Sequence, residues 1–233
     1  MSIREKINEM VENTRRAFAA GAASVPSMDS FWDVFQDYGN RTDYANAFRS
    51  GSKGGGGWND DTFTPKYAPI TVVGSANGMF ENTQITEIDV DKVDFSKATT
   101  FGTLFRYSEG IKSVVMDVSS ATDMTNTFRQ APNLRSIILA GLPANCKFTM
   151  AFYGCTALLD LQIFGTIGQN GFSVSNSSLL TAPTIRDHIL YNLEDKSADT
   201  SGTQWVCTIG YFNLGKLTDG EKAMATEKGW TLA

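Results

Sequence analysis

TDMTNTFRQAPNLRSIIL, residues 122–139, decides how this chain reads. Phe128 stands ahead of an apolar triplet, Leu134, Ile137 and Leu139, separated by two variable residues and then by one. The same order recurs on both sides. Phe80, Phe105, Phe128 and Phe152 are spaced by 25, 23 and 24 residues. The triplets that follow them are Ile85, Ile88, Val90; Ile111, Val114, Met116; Leu134, Ile137, Leu139; and Leu158, Leu161, Ile163. A further apolar residue closes each unit, at Phe101, Met124, Phe148 and Phe172. Five aligned columns over four units define an internal repeat, and a repeat has to be read before any motif because it dictates the fold.

Each unit supplies a short strand whose alternate residues point inward, followed by a return that carries the aromatic plug. One unit cannot bury its apolar side alone, whereas stacked units share a core. The segments TDMTNTFRQAPNLRSIIL and FTMAFYGCTALLDLQIF (148–164) resemble the BspA-like leucine-rich repeats, with their F-x-x-C/A-x-x-L-x-x-L-x-L core, over residues 74–172. The asparagine ladder of standard leucine-rich repeats is missing here, which fits the BspA-like subtype. The resemblance implies an α/β fold. The expected architecture is a short leucine-rich-repeat-like solenoid of about four to six repeats, with N-terminal helices and a C-terminal α/β cap.

The expected organisation is an N-terminal helical anchor or cap region over 1–69, the solenoid over 70–178 and the C-terminal cap over 179–233. Ser2 and Glu5 form a capping-box pattern ahead of Ile3, Ile7, Met10, Ala17 and Phe18 along one helix side. Ile3, Ile7, Met10 and Phe18 are therefore the candidate oligomerisation or anchor residues. A second short amphipathic helix is expected at MDSFWDVFQDYGN, residues 28–40, before a flexible glycine loop at 50–57. Near the other end, Thr181 is a candidate N-cap with Pro183 in the first turn, and Ile185, Ile189 and Leu193 follow at helical spacing. Trp205–Ile209 reads as a strand. Thr218 and Glu221 form another capping box, Gly229 is a helix stop, and Trp230 and Leu232 add a last strand or plug. The end LGKLTDGEKAMATEKGWTLA (214–233) resembles the closing segment of repeat proteins encoded by phages and prophages of gut Firmicutes. FWDVFQDYGNRTDYANAF (31–48) with GWNDDTFTPKY (57–67) resembles their N-terminal region, apart from an enlarged glycine run.

Composition narrows the chemistry. A net charge of −5 offers no basic field for a phosphate backbone, so nucleic acid is not an expected partner. No apolar run approaches the roughly 20 residues that span a bilayer. The first 20 residues carry Glu5, Glu9 and Glu12 and lack a signal-peptide core, so synthesis in the bacterial cytoplasm without membrane insertion is expected. Cys146, Cys155 and Cys207 form no CxxC pair and read as buried free thiols, with a Cys146–Cys155 disulfide as the alternative. Gly51 and Gly54–Gly57 beside Lys53 lack the order of a phosphate loop, and WNDD (58–61) lacks calcium-loop spacing. His188 beside Asp187 has no nucleophile at recognisable spacing. The carboxylate pairs Asp60/Asp61 and Glu194/Asp195 sit in polar loops without glycosidase context. The chain reads as non-enzymatic, with no cofactor and no metal.

What remains is a surface. Inward triplets fix outward neighbours: Glu87 and Asp89, Ser113 and Val115, Ser136 and Ile138, Asp160 and Gln162. Val115 and Ile138 make an apolar centre with acids on both sides, the composition of a recognition patch, unless another segment covers them. With the resemblance of both ends, the expected role is a non-catalytic phage virion protein, of the tail, a fibre or another surface-exposed part. It would bind other virion subunits or a host cell-surface protein or glycan, and be a homo-oligomer with a trimer among the admissible states. The alternatives are a bacterial BspA-like surface adhesin, which needs an export signal, a generic protein–protein interaction module, or a glycan-degrading hydrolase, which needs convergent acids.

Overall fold

The structure, a computed structural model, describes residues 44–49, 62–66 and 68–233. The expected N-terminal helices with Ile3, Ile7, Met10 and Phe18, the glycine run and WNDD lie outside the described residues. Among the described residues the strands are β1 (Thr62–Phe63), β2 (Ile70–Ser75), β3 (Glu87–Ile88), β4 (Val93–Thr100), β5 (Ser113–Asp117), β6 (Ser136–Leu142), β7 (Asp160–Gly165), β8 (Trp205–Cys207) and β9 (Trp230–Leu232). Three short helices lie towards the C-terminus: α1 (Ala182–Ile185), which runs into a π-helical turn Arg186–Leu190, α2 (Tyr211–Leu214) and α3 (Asp219–Glu227).

This corrects the expected leucine-rich-repeat-like solenoid. The parallel strands fall into four separate sheets, β1–β3, β2–β4, β5–β6–β7 and β8–β9, in place of one continuous sheet with a strand from every unit. Among the described residues, helix is confined to the three short α-helices and the π-helical turn, so their architecture is mixed α/β. The break has a local cause at Asp89. Its carbonyl accepts from the Lys92 and Val93 amides and its side chain accepts from the Asp91 amide, so the chain turns after Ile88. Val90, expected inside, is consequently 52% exposed. The strand that follows, β4, pairs with β2 through Ile70↔Val93 and two register irregularities, and does not extend the β5–β6–β7 ladder.

Local stacking of the units is nonetheless regular. Phe80, Phe105, Phe128 and Phe152 are buried, and successive ring centroids lie 5.6, 5.8 and 5.7 Å apart with interplanar angles of 8°, 6° and 14°. Backbone bonds run beside the rings: Phe80 N donates to Leu104 O, Phe105 N to Thr127 O and Phe128 N to Ala151 O. This ladder requires tight turns around each ring, and Thr103, Tyr107, Asn126, Gln130 and Met150 adopt positive φ there. The residues three positions after Phe105 and Phe152 reinforce it. Ser108 Oγ donates to Phe80 O at 2.6 Å and Cys155 Sγ to Phe128 O at 3.1 Å, which gives the Cys155 thiol a structural task. Apart from Val90, every triplet residue is buried, as are Phe101, Met124, Phe148 and Phe172.

The C-terminal part closes on hydrogen-bonded ends. Thr181 accepts from the Thr184 amide at the start of α1, and Thr218 and Glu221 cap α3 reciprocally. Lys228 Nζ donates to the carbonyls of Leu190, Tyr191 and Leu193, which satisfies chain ends that the π-helical turn leaves open. Arg186 joins two of these elements, with Nε 2.7 Å from Asp187 Oδ1 and Nη1 3.3 Å from Glu221 Oε1.

Four acids here are held below their ordinary range: Asp187 by the Arg186 bonds, Asp195 and Asp199 by bonds from Ser197 and Ser201, and Glu221 by its capping bonds from Thr218. A depressed carboxylate stabilises the fold above its unfolded value and loses that contribution as pH falls through its folded value. Thermal melts should therefore show no contribution lost from these groups above the ordinary 3.8–4.5 range, and declining stability below it. A stability that rises on acidification through that range would contradict these bonds.

Candidate functional site

The three-stranded sheet β5–β6–β7 turns one side to the core and one side outward. Val114, Met116, Ile137, Leu139, Leu161 and Ile163 alternate into the core. Their neighbours form outward rows across the sheet: Ser113–Ser136–Asp160, then Val115–Ile138–Gln162, then Asp117–Ala140–Phe164. Directly paired side chains on one face lie close enough to act as a unit. Val115 is 45% exposed and Phe164 52%, while Ile138 and Ala140 between them are half-buried. Gln162 Nε2 donates to Asp160 Oδ2 at 2.7 Å, which fixes the polar border on the β7 side.

Six of the eight residues expected on the recognition face, Ser113, Val115, Ser136, Ile138, Asp160 and Gln162, thus share one sheet. The other two do not join it. Glu87 sits on β3 and accepts from Thr62 Oγ1 of β1 at 2.7 Å, and Asp89 serves the turn that ends β3. Three residues were missed by the reading of the sequence. Asp117, Ala140 and Phe164 continue the same alternation one step beyond the repeated triplet, a signal available by extending the strands. Phe164 also meets His188 of the π-helical turn edge-on, with centroids 5.6 Å apart and an interplanar angle of 74°. An aromatic contact is what His188 shows here.

The other chemistry-bearing groups are placed for structure. Cys146, Cys155 and Cys207 are buried free cysteines. Burial pushes each thiol up to about 12, with the Asp123 charge adding to the effect at Cys146, so they stay protonated at neutral pH and are poor nucleophiles. Glu194 is bonded to Lys196 at 2.6 Å and Asp195 to the Ser197 amide, so this pair does not converge on a shared cleft. Among the described residues, no group of three His, Cys, Asp or Glu could hold a metal ion, and no helix is long and apolar enough to cross a membrane. Comparison with family models, curated proteins and solved structures gives no match.

Proposed function

We propose that the chain is a non-catalytic structural protein of a phage virion, in the tail, a fibre or another surface-exposed part. It binds a neighbouring subunit or a host-surface protein through the outward face of β5–β6–β7. The observation that carries the binding role is the exposure of Val115 and Phe164 around Ile138 and Ala140, bordered by Asp117, Asp160 and Gln162. Apolar side chains surrounded by a polar rim gain by desolvation against a partner, and the rim selects which partner fits. The sheet beneath is rigid, since every second residue is anchored in the core, so little ordering cost attaches to binding. The virion assignment is supported by the resemblance of residues 31–48, 57–67 and 214–233 to phage-encoded repeat proteins.

The test is a double variant, Val115→Glu with Phe164→Glu. Both positions are exposed, so the melting temperature should stay close to that of the parent chain. Incorporation into purified particles, quantified by mass spectrometry, should fall by at least about tenfold, as expected for loss of a central hot spot. Absence of the parent chain from particles would refute the virion role. Unchanged incorporation of the variant would refute the face.

A further inference from the structure

Phe48 also stacks on Phe80, with centroids 5.5 Å apart, and the residues that directly follow the stacked phenylalanines form a column of their own: Arg49, Glu81, Arg106, Arg129 and Tyr153. This column lies on the turn side, away from the sheet face described above. Glu81 has only 2% of its side chain exposed and is held from both flanks. Arg49 Nε lies 3.0 Å from its Oε2, and Arg106 donates to Oε1 through Nε at 2.7 Å and also through Nη2. One carboxylate therefore serves two arginines, and Arg129, one unit further on, is left without any.

Arg129 makes no ion pair among the described residues. Its Nη1 has a long contact of 3.4 Å to Asn126 Oδ1, and its Nε is buried with no hydrogen-bond partner. A buried donor on a charged group that goes unmatched is costly, and such groups in folded proteins call for an explanation. The guanidinium is positioned all the same, with its central carbon 5.6 Å from the centroid of the Tyr153 ring. Tyr153 is 46% exposed and Met150, which continues the Asn126 column, is 50% exposed. Arginine, tyrosine and methionine together are the side chains enriched where proteins meet, whereas a free anion needs no apolar border.

We propose that Arg129, seated on Tyr153 and beside Asn126, docks the carboxylate of an acidic side chain from a partner protein, with Met150 and the Tyr153 ring taking the apolar flank. The partner carboxylate meets the Nη atoms in a charge-assisted bond, while the buried Nε keeps its place inside the fold and takes no part in the docking. The same column already pairs an arginine with a carboxylate, since Glu81 accepts from Arg106 two units earlier, although there through Nε and Nη2. The site is separate from the sheet face, so either can fail alone.

The probe is N-acetyl-Gly-Glu-Leu-amide, titrated into the full chain while the arginine Nε–Hε resonances and the Tyr153 ring are followed by NMR. The Gln version of the peptide and sodium acetate are run in parallel. The Glu peptide should shift Arg129 and Tyr153 saturably, and the Gln peptide should bind at least about tenfold more weakly. Arg129→Gln should weaken the Glu peptide by a similar factor. Arg135→Gln, an equal charge change at an exposed arginine outside the column, should alter it by less than about twofold. Equal responses to the Glu and Gln peptides, an equal loss in Arg135→Gln, or no shift at Arg129 up to the solubility limit would overturn the site. Acetate binding as tightly as the peptide would overturn the protein partner in favour of a small anion. The comparison of the two peptides on the parent chain stands even if Arg129→Gln fails to fold.

Discussion

Phe128→Ala should lower the unfolding free energy by about 3–5 kcal/mol, the range for a buried phenylalanine. The ring is fully buried and lies between Phe105 at 5.8 Å and Phe152 at 5.7 Å, nearly parallel to both. The cost of truncation depends on whether the neighbours can collapse into the space. Here they cannot follow easily. Phe105 is pinned through its amide to Thr127 O, and the backbone at 128 is pinned to Ala151 O, so both flanking rings keep their separation. The cavity persists and its wall loses dispersion contacts on two flat faces. Urea unfolding followed by circular dichroism measures the loss, with Val115→Ala as a surface reference that should stay within about 0.5 kcal/mol. A loss below about 1 kcal/mol at Phe128 would mean that the stacked rings are not where the repeat register places them.

The columns that make this prediction possible were legible because burial repeats with the chain. A position that must point inward in one unit points inward in the next, so Leu134, Ile137 and Leu139 announce Leu158, Leu161 and Ile163. Val90 broke the rule for a reason no apolar pattern contains, since the Asp89 side chain and carbonyl captured three amides and ended the strand. Sheet continuity was illegible for the same reason: it depends on hydrogen bonds between units, and polar turns such as the one at Asp89 compete for them. The pairing of β4 with β2 was equally hidden, because VDFSKATT alternates too weakly to be separated from a return. On the candidate face, the outward pair in each strand could be counted from the triplet, but Asp117, Ala140 and Phe164 fell outside the counted window. Arg129 could not be singled out at all from the sequence. Its want of a carboxylate follows from where Glu81 lands between two arginines 32 and 25 residues away from it, a fact of stacking.

Gly110→Ala should be as damaging as the loss of the ring, for the opposite reason. A Cβ at this position would lie 2.1 Å from the carbonyl oxygen of Gln84, 2.3 Å from its carbonyl carbon and 2.7 Å from its Cα. A side chain could swing aside, but these are backbone atoms. Two residues later the same two segments are tied together, Lys112 N donating to Thr86 O at 2.8 Å, so separating them near Gly110 strains the bond that links β3 to β5. Overpacking a well-filled interior costs about 1–3 kcal/mol when side chains can adjust. With backbone on one side and a hydrogen bond close by, the expected loss is about 3 kcal/mol or more, read as a shift of the denaturant midpoint at unchanged slope. Gly220→Ala supplies the control of opposite sign, because a Cβ there meets nothing within 4 Å and the residue lies in α3, where alanine gains up to about 1 kcal/mol over glycine. The two substitutions add the same methyl group to the same chain. If both proved neutral, the close approach of Gly110 to Gln84 would be wrong. If only Gly110→Ala unfolds the protein, glycine is required there because two stacked units touch through their backbones, and that contact sets how far β5 stands from β3 and where the exposed face begins.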